Sequence, residues 1–237
     1  MWAGRKIRRV VTHRRDPTRF ILLSFAAMPL PRLHLALIGR SIAHSLSPAL
    51  QAELARRAGL DASFELIDVD GAGLADAAGR VRSGELTGAN VTSPHKEAVV
   101  ELVDELTVEA RRIGAVNVLF VRGGRLVGDN TDIVGVRATI DASVLRPGTT
   151  VTILGTGGAA RAAAIAALGY PGVDTIEFRS RDVDAGRRRL SDFADGRYTV
   201  VSTEAPYACG LLINATPAGG MNQTRSPLEG VDLAHVR

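Results

Sequence analysis

Residues 150–161 read TVTILGTGGAAR, an apolar strand that runs straight into a glycine-rich turn and then into an alanine-rich helix. The β-branched and aliphatic run ends on Gly155, after which the pattern is helical through Leu168. DTIEF at 174–178 supplies the next strand, so the stretch is a βαβ unit of ordinary length. Crossover helices cover the faces of such a sheet, which commits this half of the chain to parallel pairing. Gly155-Thr156-Gly157-Gly158-Ala159-Ala160 also fits G-x-G-x-x-A between strand and helix. Glycines there allow a tight turn and a close backbone approach to a pyrophosphate, which the helix N-terminus stabilises.

Cofactor choice turns on the end of the next strand. Arg179, with Ser180 and Arg181, could hold the 2′-phosphate of NADP, because guanidinium pairs bidentately with phosphate. Glu177 and Asp182 could instead accept a hydrogen bond from the unphosphorylated ribose of NAD. NADP is the expectation, and NAD is the alternative.

Upstream, LHLALIG at 33–39 reads as a buried strand, and Ser47-Pro48 opens a helix through Arg57 with serine as N-cap. ASFELIDV at 62–69 is a second strand, a helix follows near 72–82, and LTGANVT at 86–92 is a third strand. Pro94 is expected to start a helix that carries Lys96 on its first turn. NVLFV and RLVG flank Gly123-Gly124, a hairpin signal, and GDNTD at 128–132 leads into a further helix. Arg146-Pro147-Gly148 precedes the second strand–helix unit, and GLLINATP at 210–217 is a late strand running into a loop. The expected class is α/β with mainly parallel sheets, divided into a leader 1–32, an α/β domain 33–132 and a Rossmann-type dinucleotide-binding domain 133–237.

The basic balance misleads. Residues 1–32 hold eight basic side chains against Asp16 alone, so a chain of net charge +4 carries +7 there and −3 in the rest. A mildly acidic globular part gives no nucleic-acid surface. FILLSFAAM, at 20–28, is too short to span a bilayer. Arg14-Arg15 ahead of it resembles an export signal and the arginine-rich start a transit peptide, but Asp16-Pro17 interrupts the passage. The leader is read as disordered, or as the product of a start codon assigned upstream of Met28. The single Cys209 excludes an intramolecular disulfide and fits a reducing, cytoplasmic setting. His13, His34, His44, His95 and His235 lack ligand spacing, so no metal is expected.

Only two lysines occur, Lys6 in the leader and Lys96 in NVTSPHK. Arginine cannot give up its proton in a protein, whereas a partly desolvated lysine can, so Lys96 is an acid/base candidate. Ser45 and Ser47 lie at a strand-to-helix junction where hydroxyls and free amides can hold a carboxylate. Thr92, Asn117 and Asp132 complete the polar set. Each has a local alternative: a helix cap for Ser47 or Asp132, a turn hydroxyl for Thr92, a stabilised bend for Asn117.

The ordered series HSLSP, NVTSPHK, GAVNV, GDNTD and GTGGAAR, with NATPAG near the end, strongly resembles the shikimate dehydrogenase family over about residues 33–237. The resemblance implies reduction of 3-dehydroshikimate to shikimate with NADPH, on the route to chorismate and aromatic amino acids. It also implies a substrate-binding domain ahead of the Rossmann domain, with the active site in the cleft between them. Family roles fall on Ser45 and Ser47 for the substrate carboxylate and on Thr92 and Asn117 for ring hydroxyls. Lys96 and Asp132 would form the catalytic pair, and Thr216 of NATP would join Gly155–Ala159, Arg179 and Ser180 at the cofactor.

Two departures keep alternatives open. The family chain continues past position 237 into the end of the Rossmann sheet and a returning helix whose glutamine contacts substrate, and nothing here matches that glutamine. Without that helix, apolar surface on the first domain is expected to be exposed. Phe178-Arg179-Ser180 stands where the family commonly has asparagine-arginine-threonine. The alternatives are an NAD-preferring quinate/shikimate dehydrogenase or a catalytically dead, truncated nucleotide-binding homologue. A small-molecule substrate, no nucleic-acid or membrane partner, and a monomer or homodimer are expected.

Overall fold

The structure, a computed structural model, describes residues 31–193, 195–219, 225–232, 234 and 236. The leader expected over 1–32 lies outside the described residues but for its last two. Among the described residues, no helix is long and apolar enough to cross a membrane.

The first half builds a six-stranded mixed sheet. β1 (Leu33–Gly39) leads through α1 (Ser47–Ala58) to β2 (Ala62–Asp68), its parallel neighbour, and α2 (Leu74–Arg82) returns the chain to β3 (Gly88–Val91) on the other side of β1. A 3₁₀ turn at Ala98–Leu102, the two-residue β4 (Glu105–Leu106) and α3 (Val108–Ile113) precede the hairpin of β5 (Val118–Arg122) and β6 (Arg125–Asp129). Strand order is β2-β1-β3-β5-β6-β4, with β5 antiparallel to both its neighbours. Gly123 and Gly124 have φ of 60° and 77°, the left-handed pair that a two-residue hairpin turn requires. The core under this sheet joins Ala36, Ile38, Val91, Leu119 and Leu126 to Leu74, Ala77, Ala78 and Val81 of α2. α1 has no buried residue, and Leu46 just before it faces solvent with Leu50 and Leu54 within it, at four-residue spacing.

The second half is wholly parallel. After α4 (Asp132–Thr139) and a 3₁₀ turn come β7 (Thr149–Leu154), α5 (Gly158–Leu168), β8 (Val173–Ser180), α6 (Val183–Arg189), β9 (Tyr198–Ser202) and β10 (Leu211–Asn214), in sheet order β10-β7-β8-β9. α5 is apolar nearly all round, and its alanines pack between the strands on one side and Ile133 of α4, Ile113 and Ala115 on the other. α4 and α5 thereby tie the two sheets together.

Three expectations need correction. Pro94 opens no α-helix: the Ser93–Pro94 peptide is cis and 94–97 is a turn. The carbonyl of Lys96 accepts from Val116 N at 2.7 Å, a partner from another segment, and Val100 N reaches Glu97 at 3.2 Å in 3₁₀ fashion. Ser47 is not an N-cap but the first helical residue of α1, after Leu46, and makes no capping bond. β8 runs on to Ser180, so Arg179 lies inside the sheet rather than in a following loop. β4, α3, α6 and β9 have no counterpart in the sequence reading.

Candidate active site

Three of the expected polar residues meet directly. The turn after β3 carries Lys96, whose Nζ donates to Asp132 Oδ2 at 2.6 Å. Asn117, buried at the approach to β5, donates from Nδ2 to Asp132 Oδ1, also at 2.6 Å. The carboxylate of Asp132 is thus held at both oxygens, and neither it nor Lys96 is fully buried: 26% and 21% of the side chains are exposed. Asp132 sits in the first turn of α4, where the helix dipole favours negative charge. It caps nothing; its own amide donates to Asn130 Oδ1 at 2.9 Å.

Asn130 lies 2% exposed, and its Nδ2 donates to the carbonyl of Ala115 at 3.0 Å. The sequence reading took Asp132 from GDNTD and passed over Asn130, although a buried amide before a helix needs partners. Asn117 is more committed than expected. Its Oδ1 accepts from Thr131 N at 2.9 Å, and Nδ2 also lies 3.2 Å from Thr131 Oγ1, so both ends of the amide already serve Thr131 and Asp132.

Ser45 and Ser47 form a second polar group. Ser45 Oγ donates to Ser47 Oγ at 3.1 Å and accepts from Ser47 N at 3.2 Å, so the two hydroxyls face one another. Their loop is pinned at its root, where Asp68 accepts from Ser41 N at 2.8 Å and Ile42 N at 3.0 Å. Arg40 N donates to Ser93 O at 3.3 Å, which sets the loop beside the turn after β3. Thr92 packs its methyl beside Gly39, where an added Cβ would lie 2.5 Å from Thr92 Cγ2 and 2.7 Å from Ile42 Cγ2. His95, 3% exposed, bonds Val69 O at 2.8 Å through Nε2 and so anchors the turn that bears Lys96.

A cleft of about 490 Å³ is lined by Lys96, Thr131, Asp132, Gly135, Val136 and Ala159. It joins the lysine–aspartate pair to the first turn of α5. Ser45, Ser47 and Thr92 are not among its lining residues. The glycine-rich turn fits a dinucleotide. Gly155 has φ of 103°, and a Cβ there would come within 3.3 Å of Thr216 Cγ2 and 3.4 Å of Ala215 O. Gly157 precedes α5, and the Gly158 amide already donates to an anionic oxygen, Glu97 Oε1, at 3.0 Å. That amide at the helix N-terminus is thus able to take an anionic oxygen.

Arg179 does not present itself to a phosphate. It is 1% exposed, and its guanidinium donates to Glu177 Oε1 at 2.8 Å, Ser202 O at 3.0 Å, Ala205 O at 2.6 Å and Pro206 O at 2.7 Å. It also lies 4.1 Å over the ring of Tyr207. The loop after β9 offers these carbonyls inward, and a guanidinium with five donors satisfies them. Ser180 Oγ donates to Asp182 O at 2.6 Å, and the Asp182 side chain caps α6 through Ala185 N at 2.9 Å. The acidic residues expected as ribose acceptors are therefore also engaged, while Arg181 is exposed.

Two ionic contacts were not foreseen, the first within the second half and the second between the halves. Arg161 of α5, 6% exposed, donates to Ile113 O at 3.1 Å and to both oxygens of Asp192 at 2.6 and 3.1 Å. Arg189 pairs with Glu97 at 2.9 Å.

Residues 37–119 match the family model described as the shikimate dehydrogenase substrate binding domain. A shikimate dehydrogenase (NADP(+)) of Symbiobacterium thermophilum is 37% identical over 211 residues, 84% of this chain and 71% of that protein. Among solved structures, shikimate 5-dehydrogenase from Thermus thermophilus, in complex with NADP(H) and shikimate, superposes with a TM-score of 0.71 at 33% identity, covering 86% of this chain and 75% of that one. A 5-ketofructose reductase of Gluconobacter sp. strain CHM43 is also 33% identical, with a TM-score of 0.66 over 79% of this chain and 70% of that one.

Proposed function

The chain belongs to the shikimate dehydrogenase family, and on that premise we propose that it interconverts 3-dehydroshikimate and shikimate with NADP, an oxidoreductase step of aromatic biosynthesis. The observation that carries the reading is the Lys96–Asp132 pair, held by Asn117 and opening on a cleft it shares with the start of α5. Bound NADPH supplies the hydride that adds to the substrate's carbonyl carbon. Lys96 holds, at Nζ, the proton that the carbonyl oxygen takes as negative charge develops on it, so the product is the neutral alcohol. Asp132 fixes the ammonium through Oδ2, and Asn117 fixes Asp132 through Oδ1.

Ser45 and Ser47 bind the substrate carboxylate with their paired hydroxyls, and Thr92 and Asn117 face its ring hydroxyls. Gly155, Thr156, Gly157, Gly158 and Ala159 form the turn that holds the cofactor, with Thr216 against Gly155 and Ser180 at the end of β8. Arg179 shapes the loop at 202–206 beside that site.

One observation favours a second reading, that NAD is accepted beside NADP. The arginine expected to select the 2′-phosphate directs its donors to the protein itself.

Shikimate-dependent reduction of NADP, with NAD, quinate and 5-ketofructose in parallel, tests the proposal. Lys96→Ala is expected to lower turnover by about 10²–10⁴-fold, the contribution of a general acid, with little change in shikimate affinity. Lys96→Arg keeps the charge but donates poorly, and falls with it. Undiminished turnover in Lys96→Ala would remove the acid/base assignment. Absence of turnover in folded, NADP-binding protein would leave a binder.

A further inference from the structure

The Glu97 carboxylate occupies the position at which a dinucleotide-type turn receives phosphate. Oε1 accepts from the Gly158 amide, the first of α5, at 3.0 Å, and the same carboxylate pairs with Arg189 Nη2 at 2.9 and 3.1 Å. Both groups crowd one surface, since a Cβ built on Gly157 would lie 3.4 Å from Glu97 Oε1 and 3.6 Å from Arg189 Nη2. The Glu97 carboxylate has no other partner among the described residues, and its side chain is 40% exposed and that of Arg189 54%, so either can rotate into solvent without opening a core. A phosphate oxygen on the Gly158 amide would stand against the Glu97 carboxylate, and two like charges at that range repel.

We propose that Glu97 is an internal competitor for the cofactor's pyrophosphate, and that Arg189 is a cofactor-binding residue which exchanges the carboxylate for that pyrophosphate. The inference rests on the reading of Gly155–Gly158 as the dinucleotide turn. Glu97 directly follows Lys96, so the exchange releases a tie between the turn that bears the catalytic lysine and α5. Arg189 keeps its place in either state, because its backbone carbonyl accepts from Arg161.

The test is the dissociation constant of NADPH, followed by its own fluorescence, for the full chain and its variants. Glu97→Gln is expected to bind NADPH about tenfold more tightly, the size of exchanging a charge-assisted hydrogen bond for a neutral one. Glu97→Ala shifts the same way, and Arg189→Gln weakens binding roughly fivefold, as loss of one exposed charge contact does. Adenosine 2′-phosphate, which lacks the pyrophosphate, is bound equally by the wild-type chain and Glu97→Gln. Equal or weaker NADPH binding by both Glu97 variants overturns the inference and leaves the cofactor reading intact. A matching shift for adenosine 2′-phosphate also overturns it, since the effect would then be general loosening. Unchanged or tighter binding by Arg189→Gln removes Arg189 from the cofactor site. Folded protein that binds NADPH in no form overturns the cofactor reading and this inference with it.

Discussion

Replacing Arg179 by methionine keeps most of the side chain's volume and removes its four hydrogen-bonded contacts, to Glu177, Ser202, Ala205 and Pro206. At about 1.5–3 kcal/mol for each bond to a charged group, the gross loss is about 6–12 kcal/mol. Much of it returns, because a buried guanidinium has itself been desolvated and the exposed Pro206 regains water. Removing one partner of a buried ion pair costs about 3–5 kcal/mol net. For a protein of this length that lowers Tm by roughly 6–20 °C. Thermal and urea unfolding of Arg179→Met, read beside NADPH titration at a temperature where both chains are folded, separate the possible roles. The structure predicts a large stability loss, with NADPH affinity reduced only as far as the loop at 202–206 is displaced. Unchanged unfolding with NADPH affinity lost tenfold or more would refute the inward placement and return Arg179 to the 2′-phosphate.

Three further outcomes are expected. Asp132→Asn leaves Lys96 without its carboxylate partner and should lower turnover by about 10²-fold or more, with unfolding nearly unchanged, by steady-state kinetics and calorimetry. Gly128→Ala places a Cβ 2.6 Å from Val116 Cγ2 and 3.2 Å from Leu106 Cδ2 in a packed core, and should cost about 1–3 kcal/mol in urea unfolding. Hydrogen bonding to Arg161 holds the Asp192 carboxyl below its ordinary value. A depressed carboxyl stabilises the fold above its unfolded pKa of about 3.9 and loses that contribution as pH falls through the lower folded value. Asp192→Asn should therefore be less stable than the wild-type chain near pH 7, and the gap should close at the acid end of a pH series.

Much of this fold follows from local pattern. β1 is a mostly aliphatic run and β7 a run of β-branched and aliphatic residues, α5 is an alanine helix behind a glycine turn, and the Gly123-Gly124 hairpin needs only its two left-handed residues. Each is specified by contacts close in sequence, so each is legible. α6 is different. It is polar, and it carries a buried Gly186 because a Cβ would come 2.9 Å from Val200 Cγ1. Nothing in VDAGRRR announces that contact. β4 is two residues long and exists only because β6 lies beside it.

The sequence by itself determined the chemistry on offer: one lysine past the leader in a chain that otherwise uses arginine, an aspartate before a helix, paired serines at a strand end, and a turn built for phosphate. Those are properties of residue type and short spacing. Only the tertiary structure decided which groups meet and which are already engaged. Lys96 and Asp132 stand 36 residues apart and touch because Val116 takes the carbonyl of Lys96 and Asn130 the amide of Asp132. Arg179 turned inward because three loop carbonyls and a carboxylate surround it. Glu97 came to rest on the amide of Gly158 because the two sheets pack together through α4 and α5. A side chain's direction is set by unpaired donors and acceptors brought close by the fold, and those lie far from it along the chain.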